Sequence, residues 1–254
     1  MSTLNKQLLP SDIWEELGIT QHLGGIRATR QLIHLCDLTD QSKILEIGCG
    51  TGFTACLLAK YPPREVVGSD LRSGLLQKAK ERSIRQKTEC RLNFLQSDSQ
   101  MLPLASETFD AVIAESTIVF CDAKRVFSEV YRVLKKRGIF GINEFTIVGS
   151  PPEGIVSWFQ DALRIRPQSS RNWMHLFDQS GFVETTSKLY PIRLRDDMYS
   201  HLKVDGFFKY LSSLVKGISD TSIRNAFFTK EMVQTMFKFS PYIAYGIYTG
   251  RKDD

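Results

Sequence analysis

Between residues 42 and 146 the apolar positions change period again and again. Short runs such as Ile44-Leu45-Glu46-Ile47 give way to stretches whose apolar residues recur every three or four positions, the alternation that builds a parallel sheet covered by helices. Strands are expected at 43–47, 65–69, 92–96, 111–114 and 138–145, with helices beginning near Phe53, Gly74 and Ala123. In the last of these, "AKRVFSEVYRVLKKRG", Val126, Phe127, Val130, Val133 and Leu134 share one face and Gly138 marks the end. Its Lys135-Lys136-Arg137 cluster then suits the negative end of the helix dipole.

The flanks carry their own signals. "SDIWEEL" and "GGIRATRQLIHLCDL" read as helices before the sheet, the second with Ile26, Leu32 and Ile33 toward the core. "PPEGIVSWFQDALRI" and "SSRNWMHLFDQSGF" read as helices after it, "VETTSKLYPIRL" as a strand, and "YIAYGIYTGRK" as a last, antiparallel strand. Between these two strands the stretch 195–241 is too long for a hairpin loop. Its aromatic and apolar residues, among them Phe207, Phe208, Phe237 and Phe239, either pack its own helices on the sheet or roof an apolar pocket over the strand ends. The expected organisation is residues 1–40 as helices over the ligand site, 41–195 as the α/β core, 196–240 as a helical lid, and 241–254 as the last strand and tail.

The stretch "KILEIGCGTGFTACLLAK" is a strand, a tight turn and a helix. Gly48, Gly50 and Gly52 allow positive φ and close approach of a ligand to the backbone, and the helix start that follows offers unpaired N–H groups. In dinucleotide folds such a turn holds a pyrophosphate. Here Phe53 stands where the third dinucleotide glycine belongs, and Glu46 lies two positions before the first glycine. A carboxylate there repels a pyrophosphate and attracts an ammonium or sulfonium. Cys49, inside the turn, is a small residue that fits and whose thiol a ligand would shield.

Composition narrows the field further. Hydrophobic content of 42% and charged content of 24% are ordinary for a globular protein of 254 residues. The formal charge of +5 is too small and too dispersed to demand a polyanion, so nucleic acid is not indicated as a partner. The five cysteines lack C-x-x-C spacing, which argues against a disulfide framework or a metal site. With no leader-like start and no spanning apolar run, a cytoplasmic location is expected.

Three acids fall at successive strand ends. Asp70 ends "VVGSD", roughly 20 residues after the turn, the offset at which an acid accepts from ribose hydroxyls. Asp98 in "FLQSDSQMLP" is placed to accept from an adenine amino group or to cap its own turn at Ser99-Gln100, and Glu115 follows "FDAVIA". Taken in order, "LEIGCGTG", "VVGSD", "FLQSDSQMLPLASETFDAVIAES", a basic helix and "GIFGINEF" resemble the class I S-adenosylmethionine-dependent methyltransferases, in the small-molecule branch with ubiquinone/menaquinone-type and sterol enzymes. The resemblance implies an α/β, Rossmann-like, seven-stranded, mostly parallel sheet with helices on both faces and a helical insertion near the C-terminus. It implies S-adenosyl-L-methionine as cofactor, with Glu46, Gly48, Cys49, Gly50 and Gly52 on its methionine part, Asp70 and Leu71 at the ribose, Asp98 and Ser99 at the adenine, and Glu115 beside them.

The implied activity is methyl transfer to a small, partly apolar or aromatic acceptor by in-line displacement, where holding the two reactants in line is most of the task. An acceptor hydroxyl or acidic carbon also needs a base. The candidates are His22 at the glycine-rich "HLGG", His201 and Tyr199 in the insertion, and Glu115; His34 and His175 lie within amphipathic helices, where a lone His is structural. The segment "AESTIVFCDA" has no N-P-P-Y-like element and there is no Pro-Cys pair, both of which lower a nucleobase reading. The competing readings are an RNA or protein methyltransferase on the same fold, a nicotinamide oxidoreductase, which Phe53 and Glu46 disfavour, and a non-catalytic cofactor-binding module.

Overall fold

The computed structural model describes residues 23–60, 65–192 and 229–254, together with residues 212, 215 and 219–221. Its strands are β1 (Lys43–Ile47), β2 (Glu65–Asp70), β3 (Leu92–Gln96), β4 (Phe109–Glu115), β5 (Leu134–Ile147), β6 (Gln168–Ser169), β7 (Phe182–Pro191) and β8 (Ile243–Lys252). The helices are α1 (Gly25–Leu35), α2 (Phe53–Ala59), α3 (Ser73–Gln86), α4 (Ala123–Val133), α5 (Ile155–Leu163), α6 (Ser170–Gln179) and α7 (Lys230–Phe239).

The sheet runs β3-β2-β1-β4-β5-β8-β7. β1 to β5 pair in parallel, and β8 lies antiparallel between β5 and β7. This is the expected seven-stranded, mostly parallel sheet. The two-residue β6, parallel to the end of β5, adds to it; a strand that short carries no periodicity to read. β1 and β4 are near-continuous apolar runs because helices cover both their faces. Alternate residues feed two cores. Leu45, Val112 and Phe140 join Phe127 of α4 and Phe177 of α6 on one face, while Ile44, Ile113 and Ile139 join Leu32 of α1 and Leu58 of α2 on the other. The first core is knitted by edge-on rings, Phe127 against Phe140 at 5.1 Å and against Phe177 at 4.9 Å.

The chain leaves β1 toward β2 and β3 and then crosses back to lay β4 on the other side. That reversal opens a crevice at the C-terminal ends of β1 and β4, where open α/β sheets bind ligands.

Two expectations need revision. The helix expected to run to Gly138 ends at Val133, and β5 begins at Leu134, paired with Phe109. Lys135 and Arg137 therefore lie in the irregular start of β5, where the register shifts before Ile139 pairs with Ala111 and Arg137 has a φ of 61°, and their side chains are ion-paired to Asp110 and Glu184. Apolar periodicity could not show this, because Leu134 is buried in either conformation. In the long stretch before the last strand, Phe239 is core, seated against Trp158 and Phe159, whereas Phe237 is 74% exposed. Phe207, Phe208, most of the expected lid and the first expected helix lie outside the described residues. Among the described residues, no helix is long and apolar enough to cross a membrane.

Candidate functional site

The glycine turn begins where β1 ends. Gly48, Gly50 and Gly52 have φ of 65°, 51° and 74°, and the Cys49 N–H donates to the carbonyl of Ser69 at 2.8 Å, tying the turn to β2. The three glycines have different reasons. A Cβ on Gly48 would stand 2.2 Å from Thr117 Oγ1, and one on Gly52 would stand 2.8 Å from the Ala79 methyl, so the protein itself crowds both. Among the described residues, a Cβ on Gly50 would meet nothing within 4 Å. The open side of Gly50 is a cradle that a side chain would fill and a ligand can enter.

Carboxylates surround that cradle. Glu46 is 4% exposed and accepts from the Ala55 N–H, but its Oε2 has no hydrogen-bond partner among the described residues. Burial, then the charges of Glu115 and Asp70, hold its pKa well above the ordinary carboxylate range. Asp70, at the end of β2, accepts from the N–H groups of Gly50 and Arg72, each at 2.9 Å, which aims its carboxylate across the turn. An unpaired buried carboxylate among like charges is costly. A cation with donor hydrogens relieves that cost, and a pyrophosphate adds to it. The residues present therefore fit the amino and sulfonium groups of S-adenosylmethionine.

Asp98 lies two residues past β3. Its carboxylate accepts from the Gln100 N–H at 2.9 Å, so the turn-capping role weighed from sequence is realised, and Ser99 is half-buried beside it. Leu71 is 64% exposed next to Asp70. Glu115 is at the end of β4 but faces inward: Thr54 donates to Oε1 at 2.8 Å, and Thr29 and Asn143 donate to Oε2 at 3.1 and 3.2 Å. Cys49 is buried, its thiol against Gly68. Thus Glu46, the three glycines, Cys49, Asp70 and Glu115 form one constellation. His22, Tyr199 and His201 lie outside the described residues, and His34 and His175 are exposed on α1 and α6.

Sequence reasoning passed over Thr29, Thr54, Thr117, Asn143 and Glu144. Asn143 also donates to the Leu23 carbonyl at 2.8 Å, and Ser116 Oγ accepts from the Leu23 N–H at 3.2 Å, which pins the start of α1 over the ends of β4 and β5. A signal was there: Asn143-Glu144 are adjacent polar residues inside an otherwise apolar strand, "GIFGINEFTI".

A methyltransferase domain family matches residues 45–142, the span from β1 through the first half of β5. Over that span the chain is similar to a methyltransferase domain, as the resemblance of its motifs implies. A phosphoethanolamine N-methyltransferase of Haemonchus contortus, similar in fold with a TM-score of 0.69 at 17% identity, covering 98% of this chain and 58% of that one, is solved in complex with S-adenosyl-L-methionine. An uncharacterized protein of Haemophilus influenzae is 29% identical over 171 residues, 65% of this chain and 68% of that protein. A sterol 24-C-methyltransferase of Debaryomyces hansenii is 30% identical over 117 residues, 46% of this chain and only 31% of the sterol enzyme. The match thus spans less than a third of the sterol enzyme's length. In fold the chain resembles the crystal structure of the [4+2]-cyclase SpnF, with a TM-score of 0.76 at 20% identity, covering 95% of this chain and 91% of that one.

Proposed function

We propose that this chain transfers a methyl group from S-adenosylmethionine to a small, partly apolar acceptor. The observation that carries the reading is the buried Glu46 carboxylate, one oxygen unpartnered, beside the open face of Gly50. When bound, the cofactor supplies an electrophilic methyl group on a sulfonium. Glu46 holds the cationic end, Gly48, Cys49, Gly50 and Gly52 line the methionine part with backbone, Asp70 accepts from the ribose hydroxyls, Leu71 covers the sugar and base, and Asp98 with Ser99 meets the adenine. Glu115 acts from beneath, because the donors already on its two oxygens make it a strut between α1, α2 and β5 and not a base. His22, Tyr199 and His201 stay as candidates for the base. An apolar acceptor suits the side chains of Met101 and Phe120, which stand 77% and 37% exposed on the loops after β3 and β4.

Titration calorimetry with S-adenosylmethionine, S-adenosylhomocysteine and NADH tests the cofactor, with binding expected for the first two alone. Since a cation stabilises ionised Glu46, binding should also release a proton, seen as a binding enthalpy that varies with the buffer. Transfer of a labelled methyl group to quinols, phenols and other lipophilic acceptors tests the reaction. Tight cofactor binding with no transfer to any acceptor would favour a non-methylating use of the site, an outcome the fold permits.

A further inference from the structure

The two ends of the cofactor cleft meet in loop 116–122. At one end the Thr117 hydroxyl lies between the Glu115 carbonyl at 3.1 Å and the Gly48 carbonyl at 3.4 Å. At the other, Cys121 Sγ lies 3.6 Å from Ser99 Oγ, and the Asp122 N–H donates to Gln100 Oε1 at 3.0 Å, while the Gln100 side-chain amide donates to Asp98 at 3.1 Å. Within the loop only Ile118–Phe120 form a regular element, one turn of 3-10 helix, and Thr117 before it gives no side-chain cap. The first N–H groups of that turn need acceptors from elsewhere.

Glu144 provides them. From the middle of β5, fully buried, its Oε1 accepts from the N–H groups of Thr117 at 2.9 Å and Ile118 at 2.6 Å, while its Oε2 has no partner among the described residues. The strand around it is apolar, with Ile142 and Phe145 as neighbours, so a carboxylate here works against stability. Burial pushes its pKa up to about 7 in spite of those bonds. An apolar side chain would pack β5 at lower cost, but it would release the loop.

We propose that Glu144 is a positioning residue of the cofactor site: by clamping the Thr117 and Ile118 N–H groups, it fixes loop 116–122 against both the glycine turn and the adenine loop and so sets the width of the cleft. The proposal rests on the cofactor reading above. It is tested on the full chain by calorimetric titration with S-adenosylhomocysteine and by hydrogen exchange at Thr117 and Ile118. Glu144→Leu should weaken cofactor binding by about tenfold or more and expose both amides to exchange, while β1 and β4 stay protected. Glu144→Gln, which keeps an acceptor oxygen, should recover affinity to within about threefold of the native chain. If the leucine variant does not fold, Thr117→Val carries the test, with affinity lowered several-fold while the two amides stay protected. A folded Glu144→Leu chain with native affinity, or with both amides still protected, would overturn the proposal. So would a Thr117→Val chain with native affinity. If the native chain itself fails to bind, the cofactor reading falls as well; failure of the clamp alone leaves native binding intact.

Discussion

The half of the sheet from β1 to β3 and the half from β5 to β7 solve the same packing problem with unlike information. In the first half, each functional group sits within a few residues of the element that positions it. Glu46 is in β1, the glycines follow directly, and Asp70 ends the next strand. In the second half the partners come from other elements: β8 pairs β5 across about a hundred residues, Asn143 reaches Leu23 across 120, and Glu144 reaches back 27 residues, past β4, to Thr117. Local order builds the ligand cradle, and long-range order holds it closed.

The sharpest way to break that division is at the glycines. Gly48→Ala should be the most damaging change, because it puts a methyl group 2.2 Å from Thr117 Oγ1 at a φ of 65°. It strains the local turn and pushes away the loop that the distant Glu144 holds, so we expect loss of about 3 kcal/mol or more in denaturant unfolding together with loss of cofactor binding. Gly50→Ala meets no atom of the described residues within 4 Å, so its stability cost should be only about 1 kcal/mol of positive-φ strain. Cofactor binding should nevertheless fall severely. Equal stability losses in the two variants would refute the assignment of Gly50 to the ligand and Gly48 to the loop.

Second in size is the pH dependence that Glu144 imposes. Its folded pKa, about 7, lies above the ordinary 4.5, so the folded state keeps a proton that the unfolded state has lost between those two values. Stability must therefore fall as pH rises from 4.5 toward 7, by about 3 kcal/mol from this group if the whole shift is expressed, and then level off. Glu144→Gln should make that limb shallower and leave the part that the raised Glu46 contributes. Unfolding midpoints at pH 5 and pH 8 in both chains provide the check, and an unchanged slope in the variant would remove Glu144 as its source.

These two cases also mark what the sequence could say. The cradle was legible because a strand, a turn and a helix are encoded over some fifteen contiguous residues, and because the offset from Gly48 to Asp70 is fixed by one strand-to-strand crossover. Glu115 was legible as a strand end but not as a strut, since its partners Thr29, Thr54 and Asn143 come from three other elements. Glu144 was passed over because strand periodicity assigns a face and not a hydrogen bond. The α4 and β5 boundary was misread for a related reason: Leu134 satisfies the helical stripe and the strand alternation equally well, and only its pairing with Phe109 decides.

A third effect returns to the local half. Asp70→Ala removes the carboxylate that is proposed to take the ribose hydroxyls and that now receives the Gly50 and Arg72 N–H groups. Each charged bond is worth about 1.5–3 kcal/mol, so cofactor affinity should fall at least tenfold, with a smaller loss of stability as the turn loosens. Unchanged affinity in the titration would reduce Asp70 to a cap of its own turn.

The smallest effect tests the corrected strand on the other side of the molecule. Lys135 pairs with Asp110 at 2.8 Å, but the two side chains are 45% and 37% exposed, so solvent and salt screen the pair. Asp110 also accepts from the Lys43 N–H at 2.8 Å, and that bond remains when Lys135 is replaced. Lys135→Ala should therefore cost less than about 1 kcal/mol in denaturant unfolding, and less still at high salt. The sign at the neighbouring position separates the two conformations this stretch could adopt. Lys136→Thr disfavours a helix by its β-branch, so it should be close to neutral where α4 ends at Val133 and residues 135–138 lie in the register shift at the start of β5. A clear loss of stability from Lys136→Thr would mean that α4 runs on past Val133 after all.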